Sequence, residues 1–288
     1  MNEKNNIAKI RKHIKQSLKG LYDDNEIGNF TDLIFQHLLN YSKIDIRLKG
    51  DEVISQQFIE KAEEIINRLK VFEPIQYIMG ETVFFDLPVK VTPDVLIPRP
   101  ETEELVNWII SENKGKELRI MDIGTGSGCI ALALAKNLPL AKVSAIDISE
   151  KALKIANMNA VRNNIEADFF RVDLLDPSSD LKGEYDIIVS NPPYVRDSEK
   201  RFMQYNVLHY EPHRALFVPD DNPLLFYKAI ADSGNRSLMK NGCIYCEINE
   251  TLSDETASVF QSRKYTLMAL RKDINGKPRM LKAVKNHG

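Results

Sequence analysis

Apolar residues recur along the chain with three different periods. Over residues 5–71 they return every third or fourth position: Ile7, Ile10, Ile14 and Leu18, then Leu33, Ile34, Leu38 and Tyr41, then Phe58, Ala62, Ile65, Ile66 and Leu69. This spacing predicts at least three amphipathic helices, each burying one stripe against the others. The polar stretches 22–29 and 42–52 read as the loops between them. Over residues 73–100 the runs shorten. Gln76-Tyr77-Ile78-Met79-Gly80, Val83-Phe84-Phe85 and Leu87-Pro88-Val89-Lys90-Val91 are aromatic or β-branched and broken by Gly, Asp and Pro, as in a β-hairpin. From residue 117 onward, strand-length runs at 118–121, 142–146, 169–172, 186–190 and 243–248 alternate with helical segments at 130–137, 150–163 and 223–238. That alternation predicts an α/β domain with a parallel, doubly wound sheet. Two last runs, 265–270 and 279–284, read as a hairpin. The expected domains are a helical one over 1–72, a linking hairpin over 73–100 and the α/β domain over 101–288.

Composition narrows the function classes. The chain has 288 residues, 43% hydrophobic, with a formal net charge of -2, so it can bury a sizeable core and has no general attraction for phosphate backbones or anionic membranes. Its first residues are polar, and no apolar run approaches bilayer length, so a cytoplasmic protein is expected. Three cysteines are too few for a disulfide framework. Cys243 and Cys246 have a metal-like spacing, but no second pair accompanies them and they sit in a strand-like run, so no metal is expected. The helical domain has the pattern of a lid, a dimer surface or a partner-recognition surface, and periodicity alone does not choose among them.

The first strand of the α/β region runs into Asp122-Ile123-Gly124-Thr125-Gly126-Ser127-Gly128. Alternate glycines permit positive φ and close approach of a ligand to the backbone, with a helix N-terminus behind. Asp147 ends the second strand, where a carboxylate can accept hydrogen bonds from both hydroxyls of a ribose. A loop that only packs strand on helix is the plainer reading of the glycines, and Asp147 weighs against it. The third glycine comes one residue early for a dinucleotide loop, and the Gly-Lys-Ser/Thr of a triphosphate loop is missing. S-adenosylmethionine, which has no phosphates, fits: its adenosine would use Asp147 and the strand end at Asp173 and Leu174, its methionine part the glycine loop. Farther on, Tyr185-Asp186-Ile187-Ile188-Val189-Ser190 runs into Asn191-Pro192-Pro193-Tyr194. Two prolines end the strand and set a stiff backbone, which serves a turn and equally holds an amide and a ring at the sheet's ligand-binding edge. In Ile97-Pro98-Arg99-Pro100-Glu101-Thr102, either Glu101 or Thr102 can open a helix, and capping alone explains them.

In order and spacing, the glycine loop, Asp147 and Asn191-Pro192-Pro193-Tyr194 resemble the class I amino-methyltransferases, which methylate planar nitrogens. Pro74-Ile75-Gln76-Tyr77-Ile78-Met79-Gly80, Leu96-Ile97-Pro98-Arg99-Pro100-Glu101-Thr102-Glu103, Tyr210-Glu211-Pro212 with Ala215-Leu216, and the stretch 273–279 are more specific. Together they resemble the HemK/PrmC family, which methylates the glutamine of the Gly-Gly-Gln motif in peptide chain release factors. The resemblance covers nearly the whole chain. It implies a class I S-adenosylmethionine-dependent methyltransferase: a Rossmann-like doubly wound sheet with an antiparallel C-terminal hairpin, plus a small N-terminal helical domain. Gly124, Thr125, Gly126, Ser127, Gly128, Asp147, Leu174 and Asn191 would then hold the cofactor. Asn191, Pro192, Pro193 and Tyr194 would hold the substrate, with Asn191, Pro192 and Tyr194 catalytic. The implied enzyme is a monomer that acts on a release factor and needs neither nucleic acid nor membrane. In one place the chain departs from the pattern: Asp86 stands in Phe84-Phe85-Asp86 where the family usually has glycine.

The chemistry accords with that resemblance. A carboxamide nitrogen is a poor nucleophile that needs aiming more than it needs a base. The Asn191 side-chain carbonyl and the Pro192 backbone carbonyl can accept its two hydrogens, with Tyr194 stacked on the amide plane, for an in-line displacement. A ribosomal-protein glutamine methyltransferase, a DNA adenine methyltransferase and a non-catalytic S-adenosylmethionine-binding module remain as alternatives.

Overall fold

Helix caps set the layout of the N-terminal region. In the computed structural model, which describes residues 5–181 and 183–286, five helices come first: α1 Ile7–Leu18, α2 Asp24–Leu39, α3 Lys43–Leu48, α4 Gln56–Lys70 and α5 Ile75–Met79. Asn6 Oδ1 accepts from the Lys9 amide at 3.0 Å, and Asp23 Oδ1 from those of Asn25 and Glu26, both at 2.9 Å. These side chains occupy amide groups that a helix start leaves unpaired. The expected loop at 22–29 is therefore mostly the first turns of α2. The one at 42–52 contains α3, which opens on a reciprocal capping box between Ser42 and Asp45. The run Gln76-Tyr77-Ile78-Met79, expected as a strand, lies in α5 instead. Its buried Ile75 and Tyr77 are fixed by packing, and Gly80 ends it at φ 75. Ile7, Ile14, Leu18, Ile34, Phe35, Phe58, Ile66 and Leu69 belong to the core that these helices share.

The remaining elements follow in chain order: β1 Glu81–Phe84, β2 Leu87–Lys90, α6 Pro100–Asn113, β3 Arg119–Ile123, α7 Cys129–Asn137, β4 Lys142–Asp147, α8 Glu150–Asn163, β5 Asp168–Arg171, β6 Tyr185–Ser190, β7 Val195–Arg196, α9 Tyr205–Tyr210, β8 Phe217–Val218, α10 Leu225–Ser237, β9 Leu238–Glu247, α11 Ser253–Ser262, β10 Tyr265–Lys272 and β11 Pro278–Lys285. The chain divides into two compact units. One runs to Gly80 and also includes Tyr205–Tyr210, and the other holds Glu81–Gln204 and the chain from Glu211 on. Within the first unit, α9 sets Tyr205 against Phe72, with ring centroids 5.6 Å apart, and Tyr210 donates to the Val71 carbonyl at 2.8 Å.

The second unit is built on a seven-stranded sheet of order β10-β11-β9-β6-β3-β4-β5. β5, β4, β3, β6 and β9 run parallel; β11 pairs antiparallel with β9, and the edge strand β10 pairs antiparallel with β11 and so runs in the direction of the first five. The chain moves outward from β3 through β4 to β5 and then returns to β6 on the other side of β3. Such a switch point opens a crevice at the carboxyl ends of the strands. Tyr227 and Ile230 of α10 and Phe260 of α11 share a core with Ile188, Ile244 and Leu281 of the sheet. No helix among the described residues is long and apolar enough to cross a membrane.

The departure at Asp86 has a structural reading. β1 and β2 pair antiparallel with Phe84 opposite Leu87, so Phe85 and Asp86 make a two-residue turn at φ 49 and 58. Such turns need positive φ at both central residues, which glycine adopts freely and aspartate tolerates. Asp86→Gly is expected to relieve this strain and raise the melting temperature by about 1–2 °C. A lower melting temperature in thermal denaturation would mean that the Asp86 side chain contributes more than its backbone conformation costs.

Candidate active site

At the switch point lies a cavity of about 480 Å³, walled by the carboxyl ends of β3, β4 and β6 and by the segments around residues 93–102, 172–175 and 212–215. Gly124, Thr125, Gly126, Ser127, Asp147, Leu174, Asn191, Pro192 and Pro193 all line it. The loop holds its own shape. The Gly124 and Thr125 amides donate to the Ile146 carbonyl at 2.9 and 3.0 Å, and the Gly126 amide to Asp147 Oδ2 at 2.9 Å. A phosphate cradle needs its amides free, and three of these are already used. Gly124 and Gly126 have φ 74 and 54, and a Cβ on either would meet no atom within 4 Å, so both present bare backbone to open space. Gly128 does not line the cavity. It caps α7 at φ 82, and a Cβ there would come to 3.0 Å from Ala156 Cβ, so helix packing alone calls for a glycine here.

Asp147 is held by a second bond, from the Ser149 amide to Oδ1 at 2.8 Å. A carboxylate has about four acceptor sites, so it can still accept from ribose hydroxyls. Burial pushes its pKa up, while the Ser149 and Gly126 amides and the charge of Arg214, an exposed residue on the cavity wall, work in the opposite direction. Below the loop, burial pushes the Asp122 carboxyl up to about 7, against the pull of the Thr125 hydroxyl, which donates to Oδ2 at 2.6 Å. A largely apolar cavity with the Asp147 carboxylate on its wall, and with the Gly124, Thr125 and Gly126 amides already bonded within the protein, suits S-adenosylmethionine, a phosphate-free cation.

Asn191 follows β6, whose last residue, Ser190, donates to the Ile123 carbonyl of β3 at 2.7 Å. Asn191 Nδ2 donates to Thr102 Oγ1 at 3.1 Å, and Thr102 Oγ1 donates to Glu247 Oε2 at 2.7 Å. The other oxygen of Glu247 accepts from the Tyr194 hydroxyl, also at 2.7 Å. Thr102 is therefore not the helix cap. Arg99 holds that position without a side-chain bond, and Pro100 starts α6. Tyr194 does not line the cavity, so the stacking expected of it has no counterpart in the cavity wall. Its ring packs against the sheet core and its hydroxyl is committed to Glu247. Glu247, Thr102, Glu211 and Arg214 were missed as site residues. Glu211 is buried, takes the Arg99 guanidinium at 2.5 Å and accepts from the Ile97 amide at 3.3 Å, which pins the segment entering α6 to the cavity wall.

Residues 102–216 match the methyltransferase small domain, and residues 9–80 match the PrmC N-terminal domain. A solved methyltransferase from Pyrococcus furiosus has the same fold, with a TM-score of 0.52 at 18% identity, over 80% of this chain and 99% of that one. Fold, glycine loop and domain match define a class I methyltransferase, and such enzymes draw their methyl group from S-adenosylmethionine. The release factor glutamine methyltransferase of Flavobacterium psychrophilum is 47% identical over 280 residues, covering 96% of this chain and 98% of that protein. Its counterpart from Bacteroides thetaiotaomicron is 44% identical over 275 residues, covering 96% and 99%. The chain belongs to the release factor glutamine methyltransferase family.

Proposed function

We propose that this protein transfers a methyl group from S-adenosylmethionine to the side-chain nitrogen of the glutamine in the Gly-Gly-Gln motif of peptide chain release factors. The observation that carries the reading is that Asn191 and Pro192 share one cavity with the glycine loop and Asp147, in a chain of this family. Gly124, Thr125, Gly126 and Ser127 would hold the methionine part of the cofactor, and Asp147 and Leu174 the adenosine. When bound, the cofactor supplies a methyl group activated by a sulfonium. Asn191 Oδ1 and the Pro192 carbonyl accept the two hydrogens of the substrate amide and so aim its lone pair. So held, the nitrogen would lie in line with the methyl group that the bound cofactor would supply with its sulfur as leaving group, and it would give up one proton to solvent. The protein contributes orientation and exclusion of water, and no acid or base is required of it.

The substrate is far larger than a cavity of about 480 Å³, so its glutamine enters on a loop. We assign the second contact with the factor to the helical unit, which matches the PrmC N-terminal domain. Removing residues 1–72 should raise KM for the factor more than it weakens cofactor binding, and equal losses would give the unit a folding role instead. The net charge of -2 favours a protein over a nucleic acid as substrate, and a cytoplasmic monomer suffices for the chemistry. The deciding assay is methyl transfer from labelled S-adenosylmethionine to unmethylated release factor, with a Gln-to-Ala acceptor variant, ribosomal proteins and DNA in parallel. Label on the wild-type factor alone is expected. Label on a ribosomal protein or on DNA would move the activity to a sibling enzyme.

A further inference from the structure

Asn191 can aim a substrate amide only if its oxygen, and not its NH2, faces the cavity. The two ends of a carboxamide are nearly equal in size, so shape alone does not choose between them and a hydrogen-bond network must. The network here runs in one direction. Glu247 closes β9 in the middle of the sheet and is 2% exposed, with one carboxylate oxygen facing Thr102 and the other facing Tyr194. Burial pushes the Glu247 pKa up, against the pull of the Thr102 and Tyr194 hydroxyls and of the Arg279 charge, and in its ionised form the carboxylate only accepts, so both hydroxyls donate to it. Thr102 has a single hydroxyl proton, which it gives to Glu247, and towards Asn191 it can then only accept. Asn191 must therefore turn Nδ2 to Thr102, which leaves Oδ1 for the cavity. A flipped amide would set Oδ1 against the lone pairs of the buried Thr102 hydroxyl and leave two acceptors facing each other. The Tyr194 bond to the same carboxylate anchors the far end of the Asn-Pro-Pro-Tyr turn, and Asn249 Nδ2 holds the Tyr194 carbonyl at 3.0 Å.

We infer that Thr102 and Glu247 are positioning residues: Glu247 sets the direction of the Thr102 proton, and Thr102 fixes the Asn191 carboxamide with its oxygen towards the substrate amide. The inference rests on the methyl-transfer reading given above. It assigns to a threonine on α6 and a glutamate on β9 a part in catalysis without contact with the reacting atoms. A role confined to stability would lower the melting temperature but would leave kcat of the folded enzyme unchanged.

Steady-state methyl transfer to release factor, read beside cofactor Kd by calorimetry, tests this on the full chain. Thr102→Val keeps shape and removes the acceptor, and kcat should fall by between about 10- and 100-fold while KM for the factor and cofactor Kd stay within about threefold. Thr102→Ser, which restores the hydroxyl, should recover most of the loss. Glu247→Gln offers one acceptor and one donor in place of two acceptors, so Thr102 and Tyr194 can no longer both donate to it and the direction of the Thr102 proton is no longer fixed. It should lower kcat about tenfold in the wild-type background and much less in the Thr102→Val background, because the two changes act through one bond. Wild-type kcat in Thr102→Val would overturn the inference, and so would a Ser variant no better than Val. An equal effect of Glu247→Gln in both backgrounds would remove Glu247 from the relay. Absence of transfer by the wild-type protein would overturn the functional reading itself, so the two failures are told apart.

Discussion

Asn191→Ala is expected to lower kcat by about 10³-fold, with cofactor Kd changed only about threefold. The side chain reaches the cavity from the end of a central strand, and its backbone is stiffened by Pro192 and Pro193, so its removal leaves the scaffold standing. What disappears is the acceptor that aims the substrate nitrogen. An amide lone pair is delocalised, and the nitrogen attacks only when its geometry matches the breaking bond, so loss of aim affects the transfer step more than binding. Thr102 would lose its donor as well, a secondary cost that does not touch the cofactor. Label transfer under single-turnover conditions, paired with calorimetry, reads the two quantities separately. Retention of wild-type rates would mean that the Pro192 carbonyl and the surrounding walls suffice to orient the amide.

Asp147→Ala should weaken cofactor binding by about 10²-fold, the order expected when two charge-assisted hydrogen bonds worth about 3 kcal/mol together are lost. The substitution also frees the Gly126 and Ser149 amides that the carboxylate now holds at 2.9 and 2.8 Å, and the loop would lose part of its shape. A pH dependence accompanies this. Only the ionised carboxylate accepts from both ribose hydroxyls, and burial raises its pKa, so the proton arrives at a higher pH than on an exposed aspartate. Affinity should therefore be fully present at alkaline pH and fall as pH drops through that raised value. Asp147→Asn should bind weakly and show no such slope. Calorimetric titrations across pH 5 to 8 test both. An unaltered Kd in Asp147→Ala would remove Asp147 from the cofactor site.

The sequence displayed those parts of the site whose constraints are local. Alternate glycines after a strand, with Asp147 closing the next one, form a single supersecondary unit, and two consecutive prolines after an apolar run leave a strand no way to continue. Glu247 carried no such signal. Its partner Thr102 is 145 residues away, and that of Glu211 is 112 residues away, so nothing near either carboxylate marks it as buried and doubly bonded. The one available clue was a lone charge at the end of the strand-like run 243–248. At Gly128 the positive φ that suits a ligand also suits close helix packing, and the approach of Ala156 was invisible in the sequence. The start of α2 and the presence of α3 were written in Asp23, Ser42 and Asp45, but polar composition outweighed those caps. The run at 76–80 was ambiguous in principle, since so short a stretch around Tyr77, Ile78 and Met79 fits a strand or one helical turn equally well.

Tyr205–Tyr210 belongs to the first unit although a long stretch of the second separates it from Gly80, and this bears on how the chain is made. During synthesis the five N-terminal helices emerge first, yet α9, with the ring that meets Phe72 and the hydroxyl that meets Val71, follows only after Glu81–Gln204 has been translated, roughly ten seconds later. Until then the N-terminal unit waits with one surface uncovered, while the glycine loop and β6 leave the ribosome. Its last helix follows the Asn-Pro-Pro-Tyr turn, so the first unit is complete before the 212–215 wall of the crevice, and Glu247 that fixes Asn191, have been made.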